Sequence, residues 1–206
     1  MAVFCLVTIA LHVTRKNINE VVLYALQSLA VVIMMITSVG DTGSLGLLAV
    51  AVVTLIVKVF VAPAFFFKLL DRHKMRFSAS TYINVPTTLG AIALTLFAAN
   101  SRVFAPIVNI VPTNHNYLVL AVAALLSSIL LMVNRKGTLS QMVGVLSLEN
   151  SIVVFALLAS LEQSAVLQTG IIFDVCVWMI IAIVLVSMVY RHTQSFDTTN
   201  MKKLRD

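Results

Sequence analysis

Charge is what this chain has least of. Asp, Glu, Lys and Arg make up 11% of its 206 residues, against 60% hydrophobic residues and a mean hydropathy of +1.03. A water-soluble domain carries about a quarter charged residues. The polar connections between apolar runs are also too short to hold a domain, so a soluble globular protein is excluded. Cysteine is nearly absent. Cys5 and Cys176 both fall inside apolar runs, with no CxxC and no His/Cys cluster, so neither a disulfide framework nor a metal site is expected. Both read as small buried hydrophobes. A Gly-rich phosphate loop, a nucleophile triad and a haem or iron–sulfur attachment motif are all missing. No catalytic residues and no cofactor are therefore expected in this chain.

What is present is a series of long apolar runs, approximately 1–14, 20–39, 43–70, 83–101, 116–134, 139–161 and 165–190. Each is long enough, or nearly so, to cross the hydrocarbon core as a helix, and a helix satisfies its own backbone there. The first run, MAVFCLVTIALHV, is short for a span, and it lacks the basic start and small-residue cleavage site of a signal peptide. It reads as a helix. The fold expected is an all-α integral membrane protein of about seven transmembrane helices. Helices 1–5 occupy 1–134, the last two occupy 135–190, and a basic tail follows over 191–206.

The net charge of +6 has a topological cause, so nucleic acid is not expected as a partner. Of the 14 Lys and Arg, all but Lys58 and Arg102 lie in alternate connections: Arg15 and Lys16, then Lys68 to Arg76, then Arg135 and Lys136, then the tail from Arg191. The positive-inside rule puts that face in the cytoplasm, with the N-terminus outside. Pro63 lies within the third run and should kink its helix, because its ring removes a backbone donor. His12 is expected at the cytoplasmic end of a helix, at the surface, where a cation suits the helix dipole.

Three ionisable residues lie deep in apolar sequence: Lys58, Glu149 and Asp174. Counted along their helices at 1.5 Å per residue, Glu149 is about 15 Å from either face and Asp174 about 14 Å below the outer one. Lys58 is near the middle of its run, so all three share a depth close to the midplane. Intramembrane charges are costly and by default functional. A lateral row of groups able to change protonation state is what a proton relay needs, and Lys suits it better than Arg. Gln27, Asn150 and Gln168 are placed to hold water or to hydrogen-bond the acids. The competing reading is adhesion between helices, for example a Lys58–Asp174 pair. One base and two acids cannot all pair off within the chain, so at least one acid is expected to face water or a partner.

The run GVLSLENSIVVFALL and, after a turn, QTGIIFDVCVWMIIAIVL resemble the last two helices of the small three-helix subunit of respiratory complex I. The tail FDTTNMKKLRD, the added N-terminal helices, VVLYALQSLAVV with Gln27 and VKVFVAP with Lys58 and Pro63 resemble more closely the component E family of hydrogenase-4 and formate hydrogenlyase-type complexes. Residues 116–190 are the part similar to the complex I subunit. The resemblance implies a non-catalytic membrane-arm subunit packed between antiporter-like and complex I-type membrane-anchor subunits, with a peripheral NiFe or iron–sulfur module on other chains. It places Glu149 at the first buried-acid position of that family and Asp174 at the second, where complex I has Glu. A stand-alone secondary transporter stays open as an alternative, as does a subunit of an ion or inorganic-carbon transport complex without a hydrogenase.

Overall fold

The computed structural model describes residues 1–72, 80–111, 114–159 and 180. Within them the chain is all helical, apart from one isolated backbone bridge between Thr81 and Arg135. The helices are α1 (Ala2–Val13), α2 (Asn17–Thr42), α3 (Leu45–Thr54), α4 (Ala62–Arg72), α5 (Val85–Ala99), α6 (Ala105–Val108), α7 (His115–Asn134) and α8 (Thr138–Leu158). A π-helical stretch, Leu55–Val61, joins α3 to α4 without a break. Four stretches are long and apolar enough to cross a membrane: Asn17–Gly40, Leu45–Lys68, His115–Asn134 and Thr138–Leu158. At 12 and 15 residues, α1 and α5 are shorter. The last expected span, 165–190, lies outside the described residues except for Ile180.

Local sequence explains the punctuation. Gly43 ends α2 in the left-handed region at φ 65°, where a side chain would be strained, and Ser44 then caps α3 through the Leu47 amide. Asn84 caps α5 by accepting from the Thr87 amide at 3.0 Å, with Pro86 in the first turn where no donor is lost. Pro63 has no N–H to offer the Val59 carbonyl four residues back. Just ahead of it lies a wider turn, in which the Ala62 amide reaches back five residues to the Val57 carbonyl. Lys58 sits inside that turn.

The outside of the bundle is apolar: Leu6, Ile33, Phe60, Leu94, Phe97 and Val133 are all exposed. Such a coat is an aggregation liability in water and is at home in lipid. Inside, packing is stratified along the bundle. One apolar cluster joins Leu11, Val21, Tyr24, Phe66, Leu131 and Val143; another joins Phe4, Val31, Met35, Val50, Ala121 and Val154. Between them, on α1, α2, the π-helical stretch, α7 and α8 alike, lies a layer of polar side chains. At Gly144 of α8 the backbone of α7 is close enough that a Cβ would stand 2.8 Å from the Met132 Cα. That approach, between α7 and α8, brings the serines of the two helices within hydrogen-bond reach.

Candidate functional site

The polar layer is built around an ion pair. Lys58 Nζ lies 2.8 Å from Glu149 Oε1, and their side chains are 3% and 16% exposed. Lys58 also donates to Asn150 Oδ1 at 3.1 Å. The Asn150 amide nitrogen donates to Ser28 Oγ at 2.9 Å and, over 3.4 Å, to Gln27 Oε1. Gln27 in turn donates to Thr8 Oγ1 and to Ser147 Oγ, both at 2.9 Å. Lys58, Asn150 and Gln27 thus lock one another in place across three segments of the bundle.

A serine chain continues from Gln27, and its hydrogens can be assigned. Ser151 gives its hydrogen to the Ser147 carbonyl at 3.0 Å, so in its 3.1 Å contact with Ser128 it must accept. Ser128 is then the donor there, which makes Ser147 the donor in the 3.0 Å Ser128–Ser147 contact. The order runs Gln27 to Ser147 to Ser128 to Ser151, each hydroxyl both giving and receiving one bond. Buried hydroxyls so satisfied carry no desolvation penalty of the kind an orphan would.

Of the six residues singled out from the sequence, the structure brings four together: Lys58, Glu149, Gln27 and Asn150. The base pairs with Glu149; Asp174 and Gln168 lie outside the described residues. Gln27 and Asn150 bond the lysine, hydroxyls and each other. Thr8, Ser28, Ser128, Ser147 and Ser151 were not legible as members of the site, because serine and threonine are common in membrane helices and mark no position by themselves.

His12 is a correction. Expected at the surface, it is 2% exposed, with Nδ1 at 2.9 Å from the Thr8 carbonyl oxygen and Nε2 at 3.0 Å from that of Ser127. The helix end was counted properly; what sequence could not show is that α7 lies over it.

A second buried pair lies toward the basic end of the bundle. Arg135 Nη1 is 2.9 Å from Glu20 Oε1, both residues being 1% exposed, and Ser140 donates to Glu20 Oε2 at 2.6 Å. The other guanidinium nitrogen donates to the Leu11 and Thr14 carbonyls at the end of α1. Burial holds the Arg135 guanidinium below its ordinary pKa, and Glu20 acts in the opposite direction. One fork therefore ties α1, α2 and the α7–α8 turn together. The turn itself is stitched to residues 80–83 by the Tyr82 and Lys136 amides and by Asn134 Oδ1, which accepts from the Ile83 amide.

Chemically, the amides of the layer can orient but do not readily pass a proton; the lysine and the carboxylate can bind and release one. The chain matches no protein-family model, no curated protein and no solved structure.

Proposed function

We propose that this chain is a non-catalytic membrane-arm subunit of a complex I-like assembly of the group 4 NiFe-hydrogenase or formate hydrogenlyase type. In this reading it crosses a prokaryotic inner membrane about seven times, with its N-terminus outside and its basic end in the cytoplasm. It packs between antiporter-like and membrane-anchor subunits and contributes buried charge to proton or sodium translocation. The redox centres belong to other chains. The observation that carries the reading is the Lys58–Glu149 pair. It lies at the centre of two long apolar helices, with Lys58 oriented by Asn150 and Glu149 the more exposed of the two. A titratable pair at that depth suits a relay step between neighbouring subunits. Asp174 is proposed as the next group in the row, with Gln168 near it.

One feature favours a second reading, a self-sufficient transporter. Lys58 lies in a π-helical turn next to Pro63, and discontinuous helices at midplane are a habit of secondary transporters. Purification of the tagged protein in mild detergent, followed by mass spectrometry of what accompanies it, separates the two. Antiporter-like subunits with a NiFe or iron–sulfur module are expected. Antiporter-like subunits without redox proteins would move the reading to ion or inorganic-carbon transport, and recovery alone, with uptake in liposomes, would favour the transporter. Within an assembled complex, Glu149→Gln is expected to slow or uncouple proton transfer; pumping at wild-type stoichiometry would remove Glu149 from the path.

A further inference from the structure

The two ring nitrogens of His12 face two carbonyl oxygens, at 2.9 and 3.0 Å. A carbonyl only accepts. A neutral imidazole has one N–H and one lone pair, so it can serve one of these oxygens and must point its lone pair at the other; only the imidazolium donates to both. We infer that His12 is a proton-binding site of the bundle, separate from the Lys58–Glu149 pair, and that its second proton makes the tie between α1 and α7. The inference rests on this geometry and holds whether or not the chain belongs to the proposed assembly.

Opposing influences act on this proton. Burial is the largest and disfavours the imidazolium, the two carbonyls favour it, and the charge of Arg135 lies close enough to repel it. Arg135 is itself bound to Glu20 of α2, so that acid is already engaged. Within α5 there is no ionisable residue, and those of α7, His115 and Tyr117, lie at its opposite end. On α1 itself the nearest is Cys5, about two turns away. From α7 and α5 the neighbours are hydroxyls: Thr95 gives its hydrogen to the Ile92 carbonyl at 2.7 Å, so Ser127 Oγ donates to Thr95. Neither hydroxyl competes for the ring. Loss of the proton leaves one of two contacts repulsive. The Ser127 contact is the one that gives, because the Thr8 oxygen belongs to the same helix as the ring and moves with it.

The test uses the full chain in lipid nanodiscs, with His73, His115 and His192 replaced by Gln so that His12 is the single histidine. Nitrogen-15 spectra of the ring are recorded between about pH 5 and pH 8, the window in which histidine ordinarily titrates. At the acid end two N–H nitrogens and no lone-pair nitrogen are expected. Toward the basic end a lone-pair nitrogen should grow in, while amide-exchange protection of α1, corrected for intrinsic rate, falls in parallel. In the wild-type background, H12Q is expected to abolish the pH dependence of that protection. A ring that keeps one lone-pair nitrogen throughout would overturn the inference, and so would a ring that titrates while α1 protection stays flat. The spectra read the native ring, so they decide the matter even if H12Q folds poorly.

Discussion

Stranding Lys58 should cost more than stranding Glu149. In Glu149→Leu the lysine keeps its place in a site where its side chain is 3% exposed, with the neutral Asn150 Oδ1 at 3.1 Å as an acceptor. Breaking a buried pair in this way costs ~3–5 kcal/mol. Neutralisation sets a ceiling: bringing a lysine of ordinary pKa about 10.4 to the neutral form at pH 7 costs ~4.6 kcal/mol. In Lys58→Met the survivor is the carboxylate, whose ceiling at pH 7 is ~3.7 kcal/mol from an ordinary pKa of about 4.3. At 16% exposure Glu149 falls below that ceiling, so ~1–3 kcal/mol is expected, including the donor lost to Asn150. The double variant keeps the orphaned Asn150 acceptor alone, and the single costs should exceed it non-additively by at least ~2 kcal/mol. Equilibrium unfolding in mixed micelles measures all of this. Additivity within ~0.5 kcal/mol would refute a buried, mutually neutralising pair.

Other perturbations test the frame that holds the layer. Gly144→Ala would drive a Cβ to 2.8 Å from backbone atoms of Met132, so α7 and α8 must part; a loss of ~1–3 kcal/mol is expected in the same unfolding assay. Gly90→Ala is its control: no atom stands within 4 Å of its added Cβ, and a mid-helix alanine should stabilise by ~0.5–1 kcal/mol. Arg135→Met leaves Glu20 buried with Ser140 as its remaining hydrogen-bond donor among the described residues and should cost ~3–5 kcal/mol. Arg135→Lys keeps the charge but loses the fork to Leu11 and Thr14, so thermal melts should place it between the two. Asn84→Ala removes the cap of α5, at ~1 kcal/mol, and should raise amide exchange at Thr87 without touching the polar layer.

What could be read from sequence here was whatever an apolar background makes conspicuous. Lys58, Glu149, Gln27 and Asn150 stood out because membrane helices rarely carry them, and a rise of 1.5 Å per residue was enough to place the two charges at one depth. Pairing is another matter. It depends on which faces of α8 and the π-helical turn meet, and Pro63 predicts a disturbance without saying toward which helix it aims the lysine. Burial near helix ends is hard to read from sequence for a related reason. Counting basic residues per connection treats Arg135 as loop charge, yet a turn can fold its arginine inward when Glu20 and two free carbonyls of α1 wait there. His12 fell to the same error. Among the described residues, helix lengths were legible to within a few residues, but four stretches, and not the two shorter helices, are long enough by themselves to cross a membrane.

The layer also bears on why a charged pair is present at all. Adhesion between α1, α2, α7 and α8 is already supplied by the amides and the directed serine chain, at ~0.6 kcal/mol for a typical buried hydrogen bond between membrane helices. Replacing a buried ion pair by apolar residues of like volume is often neutral or stabilising by ~1–4 kcal/mol, so stability alone does not account for Lys58 and Glu149. What the pair adds beyond a hydroxyl is the capacity to gain or lose a proton. Holding that capacity against the cost of charge in hydrocarbon requires a frame with the base fixed by Asn150, Asn150 fixed by Ser28 and Gln27, and no slack between α7 and α8 at Gly144. The same frame leaves Glu149 the more exposed partner. In the translocation path proposed above, Glu149 is therefore the group that a neighbouring subunit would address.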